Sequence, residues 1–197
     1  MEIALATYCG KKDIVTNICL SEKCGGHYGM DENYSHPARN HLYKGKRLFD
    51  PHESPEAIQQ KVSPEVWDTY YKFSIIRNPW DRVVSVYWWL IVNAPKKNFG
   101  SMDFTEFVKT RKGFSWLPKY HKWFKDVDFL IRFENLKNDY EQVCNHLKVT
   151  PVELARAKGG MRKSKKHYSE YYTEETKQIV ADHYKKDVEH FGYKFEG

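Results

Sequence analysis

The stretch Phe73–Trp89, reading FSIIRNPWDRVVSVYWW, constrains this chain more than any other. Phe73, Ser74, Ile75 and Ile76 follow Tyr70 and Tyr71, and a short run of β-branched and aromatic residues suits a buried strand. Arg77-Asn78-Pro79 ends that run. Asn78 can cap a helix, and proline suits the first helical position because the N–H it lacks would be unpaired there. Trp80, Val83, Val84, Tyr87, Trp88 and Ile91 then recur at helical spacing and make one apolar face. The expected unit is strand, tight turn, helix. It places Arg77 at the carboxyl end of a strand, where open α/β sheets bind ligands. Ser85 falls on the side opposite Val83 and Tyr87, together with Asn78, Asp81 and Arg82.

An arginine at a strand end and a serine on the following helix suit a phosphate. The guanidinium offers a planar fork of donors, and the hydroxyl adds one more. The same residues equally suit a surface arginine paired with Asp81 and a serine on a helix flank, since short motifs match by chance.

Arg77-Asn78-Pro79-Trp80-Asp81-Arg82, followed by Ser85 and Tyr87, resembles the 3′-phosphate-binding segment of the sulfotransferases that use 3′-phosphoadenosine 5′-phosphosulfate (PAPS). The resemblance is closest to the carbohydrate O-sulfotransferase branch in its small, single-domain bacterial and viral form. It implies that Arg77 and Ser85 hold the 3′-phosphate of PAPS. It also implies a P-loop NTPase-like α/β fold, with a central parallel sheet in a three-layer α/β/α arrangement over one domain, residues 1–197.

Met1 to Cys9 has helical spacing, with Met1, Leu5 and Tyr8 on one face and Gly10 as the stop. In the family a first strand and a Lys-rich, Thr/Ser-ended loop stand just before such a helix and bind the 5′-phosphosulfate. By this comparison the expected fold lacks its first strand and that loop. The residue that neutralises the leaving group normally lies there, so the chain offers no candidate for it.

Fourteen Tyr, 11 Phe and 6 Trp in 197 residues can fill the core of one domain. A net charge of +6 favours an anionic ligand, such as a nucleotide or an acidic sugar, and only weakly a nucleic acid. No apolar run approaches the roughly 20 residues of a membrane span, and no charged-then-apolar leader opens the chain. A cytoplasmic location is expected. Cys9, Cys19, Cys24 and Cys144 are unevenly spaced, with no His/Cys pair at zinc spacing, so reduced structural thiols and no metal are expected.

Asp13 to Ile18 can be a short extended segment. Cys24 to Arg47, rich in Gly, Asn, His, Tyr and Lys, is expected to be a long loop over the site. Ser54-Pro55-Glu56 and Ser63-Pro64-Glu65 start two short helices, the first running to about Lys61 or Val62. His52 stands just before the first, where related carbohydrate sulfotransferases carry a histidine. The resemblance makes it the general base.

Asp103 to Arg111 is expected to be helical. Phe114 to Phe124 interleaves rings with cations; this suits core packing first and stacking on sugars or bases second. Val127 to Phe133 reads as a second buried strand, and Leu136 to Leu147 as the helix after it. The repeated strand–turn–helix pattern argues for a parallel sheet. Arg132-Phe133-Glu134 matches the family as architecture.

Gly159 to Tyr168 is a basic loop, and in the family such a loop closes over PAPS. Arg162 and Lys165 are therefore expected to clamp the nucleotide. Thr173 caps a last helix with Val180, Tyr184, Val188 and Phe191 inward and Gly192 as its end.

The expected reaction moves a sulfuryl group from PAPS to a hydroxyl, that of a carbohydrate, without a metal. Two other readings stand beside it: a fold that no longer catalyses, and a basic nucleic-acid-binding protein using Lys163 to Lys166.

Overall fold

The computed structural model describes residues 4–5, 7–14, 42–43, 46–49, 53–94, 99–154 and 161–196. The expected segment from Asp13 to Ile18 and most of the expected 24–47 loop lie outside these. At its far end that loop gives a correction. β1 (Leu42–Tyr43) and β2 (Lys46–Arg47) pair antiparallel, Leu42 opposite Arg47 and Tyr43 opposite Lys46. Strand segments separated in sequence by Lys44-Gly45 have the commonest hairpin spacing, which the polar composition hid.

α1 (Pro55–Gln59) and α2 (Pro64–Thr69) begin as expected. Ser54 Oγ accepts from the Ala57 N–H at 3.2 Å, and Ser63 Oγ from that of Val66 at 3.3 Å. β3 (Phe73–Ile76) and β4 (Phe129–Arg132) form a two-stranded parallel sheet. Each feeds a helix. β3 passes through Arg77 and Asn78 into α3 (Pro79–Asn93), where Asn78 Oδ1 accepts from the Trp80 N–H at 3.1 Å. After β4, a 3₁₀ turn (Phe133–Asn135) leads to α6 (Leu136–His146). Between them lie α4 (Phe104–Thr110), capped by Asp103, and the single turn α5 (Tyr120–Trp123).

A second 3₁₀ turn (Tyr168–Tyr171) precedes α7 (Glu174–His183), capped by Thr173, and α8 (Lys185–Phe191), which ends at Gly192 with φ 68°. The one long C-terminal helix expected from the spacing is thus two. Tyr184 leaves helical dihedrals (φ −108°, ψ 20°) and is buried. The hydrogen bonds from Tyr184 N to Val180 O (3.0 Å) and from Val188 N to Tyr184 O (2.9 Å) survive the break, so the inward register is kept.

The chain divides into two compact units. One comprises residues 1–74, 126–131 and 135–158. Its core packs Ala4, Tyr140 and Cys144 against Leu5, Val149, Val152 and Leu154, and Cys144 is a free, buried thiol. The other comprises residues 75–125, 132–134 and 159–197. Its core is aromatic: Phe107, Phe114 and Tyr184 are buried with Val83, Val84 and Val180. Tyr87 meets Phe104 and Phe107 edge-on at 5.3 and 5.2 Å, the geometry that ring quadrupoles favour. Gly113 is required here, since a Cβ would lie 1.8 Å from the Phe107 ring. In this unit Phe114 and Tyr120 of the aromatic–basic run pack inward, while Trp116 is exposed.

Candidate functional site

The site lies within the second unit, where the sheet hands its chain to the turn after β3. Ile76 is buried and fixes the end of the strand. Arg77 is the next residue. Its Nε donates to Asp81 Oδ2 at 2.6 Å, and its guanidinium lies 4.0 Å from the centre of the Phe133 ring. The Asp81 pairing is the one the bare spacing allowed. Asn78 is almost fully buried and fixes the turn from several sides. Its N–H donates to Glu134 Oε1 at 2.6 Å, and its Nδ2 donates to Lys194 O at 2.9 Å.

Asp81 has a second cation. Arg162 Nη1, from the basic loop, is 3.6 Å from Asp81 Oδ1. Arg162 also donates through Nη2 to Lys166 O and lies 5.2 Å from the centre of the Tyr171 ring. Its Nε is buried with no hydrogen-bond partner. The Tyr171 hydroxyl titrates below its ordinary 10.0: burial would raise it, but hydrogen bonds from Ser164, Arg162 and Trp88, together with the Arg162 charge, outweigh that.

Asn78, Asp81 and Arg162 border a cleft of ≈ 490 Å³. Asn78, Asp81, Phe133 and Glu134 line it from the two strand ends, and Arg162, Lys165, Lys166, His167 and Tyr168 line it from the basic loop and the turn after it. Two of its carboxylates are already partnered, Asp81 by the two arginines and Glu134 by the Asn78 N–H and the Tyr193 hydroxyl. Glu196 lines it as well, so Arg162, Lys165 and Lys166 stand among three carboxylates.

Of the residues expected at the site, Arg162 and Lys165 line the cleft; Arg77 is not a lining residue but contacts two that are, Asp81 and Phe133. Ser85 is half-buried on α3 and is not a lining residue. The side it shares is less polar than its sequence suggests, because Asn78 and Arg82 are buried. Arg82 donates to Pro118 O at 2.9 Å and stacks on Tyr120 at 4.1 Å. His52 lies outside the described residues.

Sequence reasoning treated Phe133 and Glu134 as architecture, with Glu134 as an acid/base the less favoured alternative, and passed over Tyr171. The only signal for Phe133 is its place beside Arg132 at a strand end; for Tyr171 there is none.

A second cleft of ≈ 430 Å³ is lined by His121, Lys186, Glu189 and His190. Next to it the buried Asp187 accepts from the N–H groups of Tyr120 (3.0 Å) and His121 (2.9 Å) and pairs with His121 Nδ1 at 2.5 Å. It thereby caps α5, whose own N-terminal Lys119 provides no side-chain cap. Among the described residues no group of three or more His, Cys, Asp or Glu could hold a metal ion, and no helix is long and apolar enough to cross a membrane.

The model of the sulfotransferase family matches residues 6–194. The chain belongs to the sulfotransferase family, a family of transferases that move a sulfuryl group. A protein of Archaeoglobus fulgidus (strain ATCC 49558), described as an uncharacterized protein, is 35% identical over 103 residues, 49% of this chain and 82% of that protein. No solved structure matches.

Proposed function

We propose that the chain transfers a sulfuryl group from PAPS to a hydroxyl of a carbohydrate, on a three-layer α/β/α fold around a central parallel sheet. The observation that carries this reading is the pair of arginines, Arg77 at the end of β3 and Arg162 on the basic loop, gathered beside one cleft. A phosphate monoester fits these residues. Arg162 has a buried N–H without an acceptor, and Lys165 and Lys166 add charge at the lining. In this reading Arg77 and Arg162 hold the 3′-phosphate with charge-assisted hydrogen bonds, Ser85 adds a hydroxyl donor, and Lys165 draws the nucleotide in.

When bound, PAPS supplies the sulfuryl group and departs as adenosine 3′,5′-bisphosphate. The chain's own share is position and a proton acceptor. A sugar hydroxyl is a poor nucleophile at neutral pH, and an imidazole with an ordinary pKa of about 6.5 can take its proton. His52 is the residue assigned that step.

Adenosine 3′,5′-bisphosphate tests the reading directly. A ligand that binds only the native state stabilises it by RT ln(1 + [L]/Kd), about 2.7 kcal/mol at a hundredfold excess over Kd. The melting temperature should rise by several degrees, and Arg77→Ala should remove most of the rise. His52→Ala should lower the transfer rate roughly 10²–10⁴-fold and leave bisphosphate binding unchanged. No shift with the wild-type protein would overturn the donor assignment. Normal turnover in the His52 variant would overturn the base.

A further inference from the structure

The proposed donor site contains a carboxylate where a phosphate-binding site would be expected to avoid one. Asp81 lines the cleft, is itself mostly buried, and faces both arginines. An anion beside an anion site is either a competitor for the arginines or the piece that holds them in place.

The geometry favours the second role. Asp81 engages each guanidinium at a single nitrogen: Nε of Arg77 at 2.6 Å and Nη1 of Arg162 at 3.6 Å. A guanidinium carries five N–H donors in a fixed fork, so each arginine keeps donors for a ligand. Arg77 has no other hydrogen bond among the described residues, and its flat face is fixed on Phe133 at 4.0 Å. Arg162 keeps its buried, unpartnered Nε. Two cations sharing one carboxylate leave a net positive charge, so an incoming phosphate dianion is still attracted. Holding two flexible arginines in advance also lowers the ordering cost of binding.

We propose that Asp81 is a positioning residue, whose single carboxylate holds Arg77 and Arg162 as one clamp and so selects nucleotides bearing a 3′-phosphate. The two arginines come from distant parts of the chain, the turn after β3 and the basic loop, and Asp81 ties them without touching the ligand. This inference rests on the donor-site reading above, and the experiment separates the two.

Binding of adenosine 3′,5′-bisphosphate and of adenosine 5′-monophosphate is measured by calorimetry on the full chain, for the wild type, Asp81→Asn and Asp81→Glu. Asp81→Asn should lose roughly tenfold or more in bisphosphate affinity, the scale of one charge-assisted hydrogen bond. It should leave the monophosphate affinity and the melting temperature nearly unchanged, and Asp81→Glu should recover most of the loss. Equal or tighter bisphosphate binding by Asp81→Asn would show that Asp81 competes, and would overturn the proposal. A parallel loss for both nucleotides with a fallen melting temperature would make Asp81 structural, and would also overturn it. A wild type that binds neither nucleotide sinks the donor-site reading and this inference together.

A ligand-free measurement isolates the clamp itself. Proton exchange at Nε of Arg77 and at Nη1 of Arg162, followed by NMR, should speed up at both residues in Asp81→Asn. A change at Arg77 alone would refute the shared clamp even if the donor-site reading stands.

Discussion

β3 and β4 each deliver an arginine to a turn, Arg77 directly after Ile76 and Arg132 as the last residue of its strand. Both guanidiniums lie against an aromatic ring, Phe133 at 4.0 Å and Tyr193 at 5.1 Å. Their hydrogen bonds differ. Arg132 Nη2 donates to the carbonyl of Phe191 at 2.8 Å, and so holds the end of α8 beside the strand. Arg77 donates to a carboxylate that is itself shared with a second arginine. A backbone carbonyl at a helix end has no other role, so the first contact is architectural. A carboxylate with two cations around it leaves positive charge and donors over, and only the second arrangement suits a ligand. The turns differ in the same sense. Asn78 caps a fifteen-residue helix with its side chain, whereas Asn135 makes no side-chain cap to α6.

The sharpest way to break this comparison is to truncate each arginine. Arg77→Ala should cost roughly 1.5–3 kcal/mol of affinity for adenosine 3′,5′-bisphosphate, the range for a hydrogen bond to a charged group. Arg132→Ala should leave affinity within a factor of two and lower stability, since its bond to the Phe191 carbonyl and its contact with the Tyr193 ring are lost. Calorimetry and urea midpoints on the two variants check this. Equal losses of affinity would erase the distinction between the strand ends.

Glu134 gives a second, smaller test, because it belongs to one turn and serves the other. Its Oε1 accepts from the N–H of Asn78, and Asn78 is buried. Glu134→Ala should therefore lower stability by about 1 kcal/mol, near the low end for an abandoned donor because water can reach Glu134. Glu134→Gln, which keeps an acceptor oxygen, should restore most of it. If the two variants were equally unstable, the charge of Glu134 would matter rather than its bond to the turn.

Much of this was legible in the sequence because it is local. The Ser-Pro-Glu helix starts, the Asn78 cap, Thr173 and Gly192 each act within a few residues of themselves. The repeated strand–turn–helix pattern is local too, and it carried the α/β expectation. The Arg77–Asp81 pair lies one helical turn apart and could be read as a possibility. Arg162 on the same carboxylate could not, because nothing near either residue marks that contact. Asp187 capping α5 is illegible for the same reason. The break at Tyr184 escaped because the inward spacing of Val180, Tyr184, Val188 and Phe191 continues through it. The hairpin at Leu42–Arg47 was masked by polar composition.

The last test concerns pH, and it decides where the arginine comparison can be made cleanly. His183, at the end of α7, titrates at about 4 against an ordinary 6.5. Burial is the larger cause, and the Lys119 charge beside it adds to the shift. Lys119 Nζ donates to the carbonyl of His183 at 2.5 Å, and its own pKa is lowered to about 8, chiefly by burial, so it is charged throughout the acid range. The sign follows from counting protons. Between pH 6.5 and about 4 the unfolded chain has a protonated His183 and the folded chain does not. The unfolded state then binds more protons, so stability rises with pH across that window. The contribution is complete above pH 6.5, declines as pH falls toward about 4, and does not change further below that. Carboxylates such as Asp128, held below its ordinary 3.8 by the Lys72 N–H, act at lower pH. Urea midpoints at pH 7.5, 6 and 5 should therefore fall in the wild type and fall less in His183→Gln. An unchanged slope in that variant would assign the acid sensitivity to other groups. With the slope flattened, a difference between Arg77→Ala and Arg132→Ala that persists from pH 7.5 to pH 5 belongs to the two strand ends and not to the core beneath them.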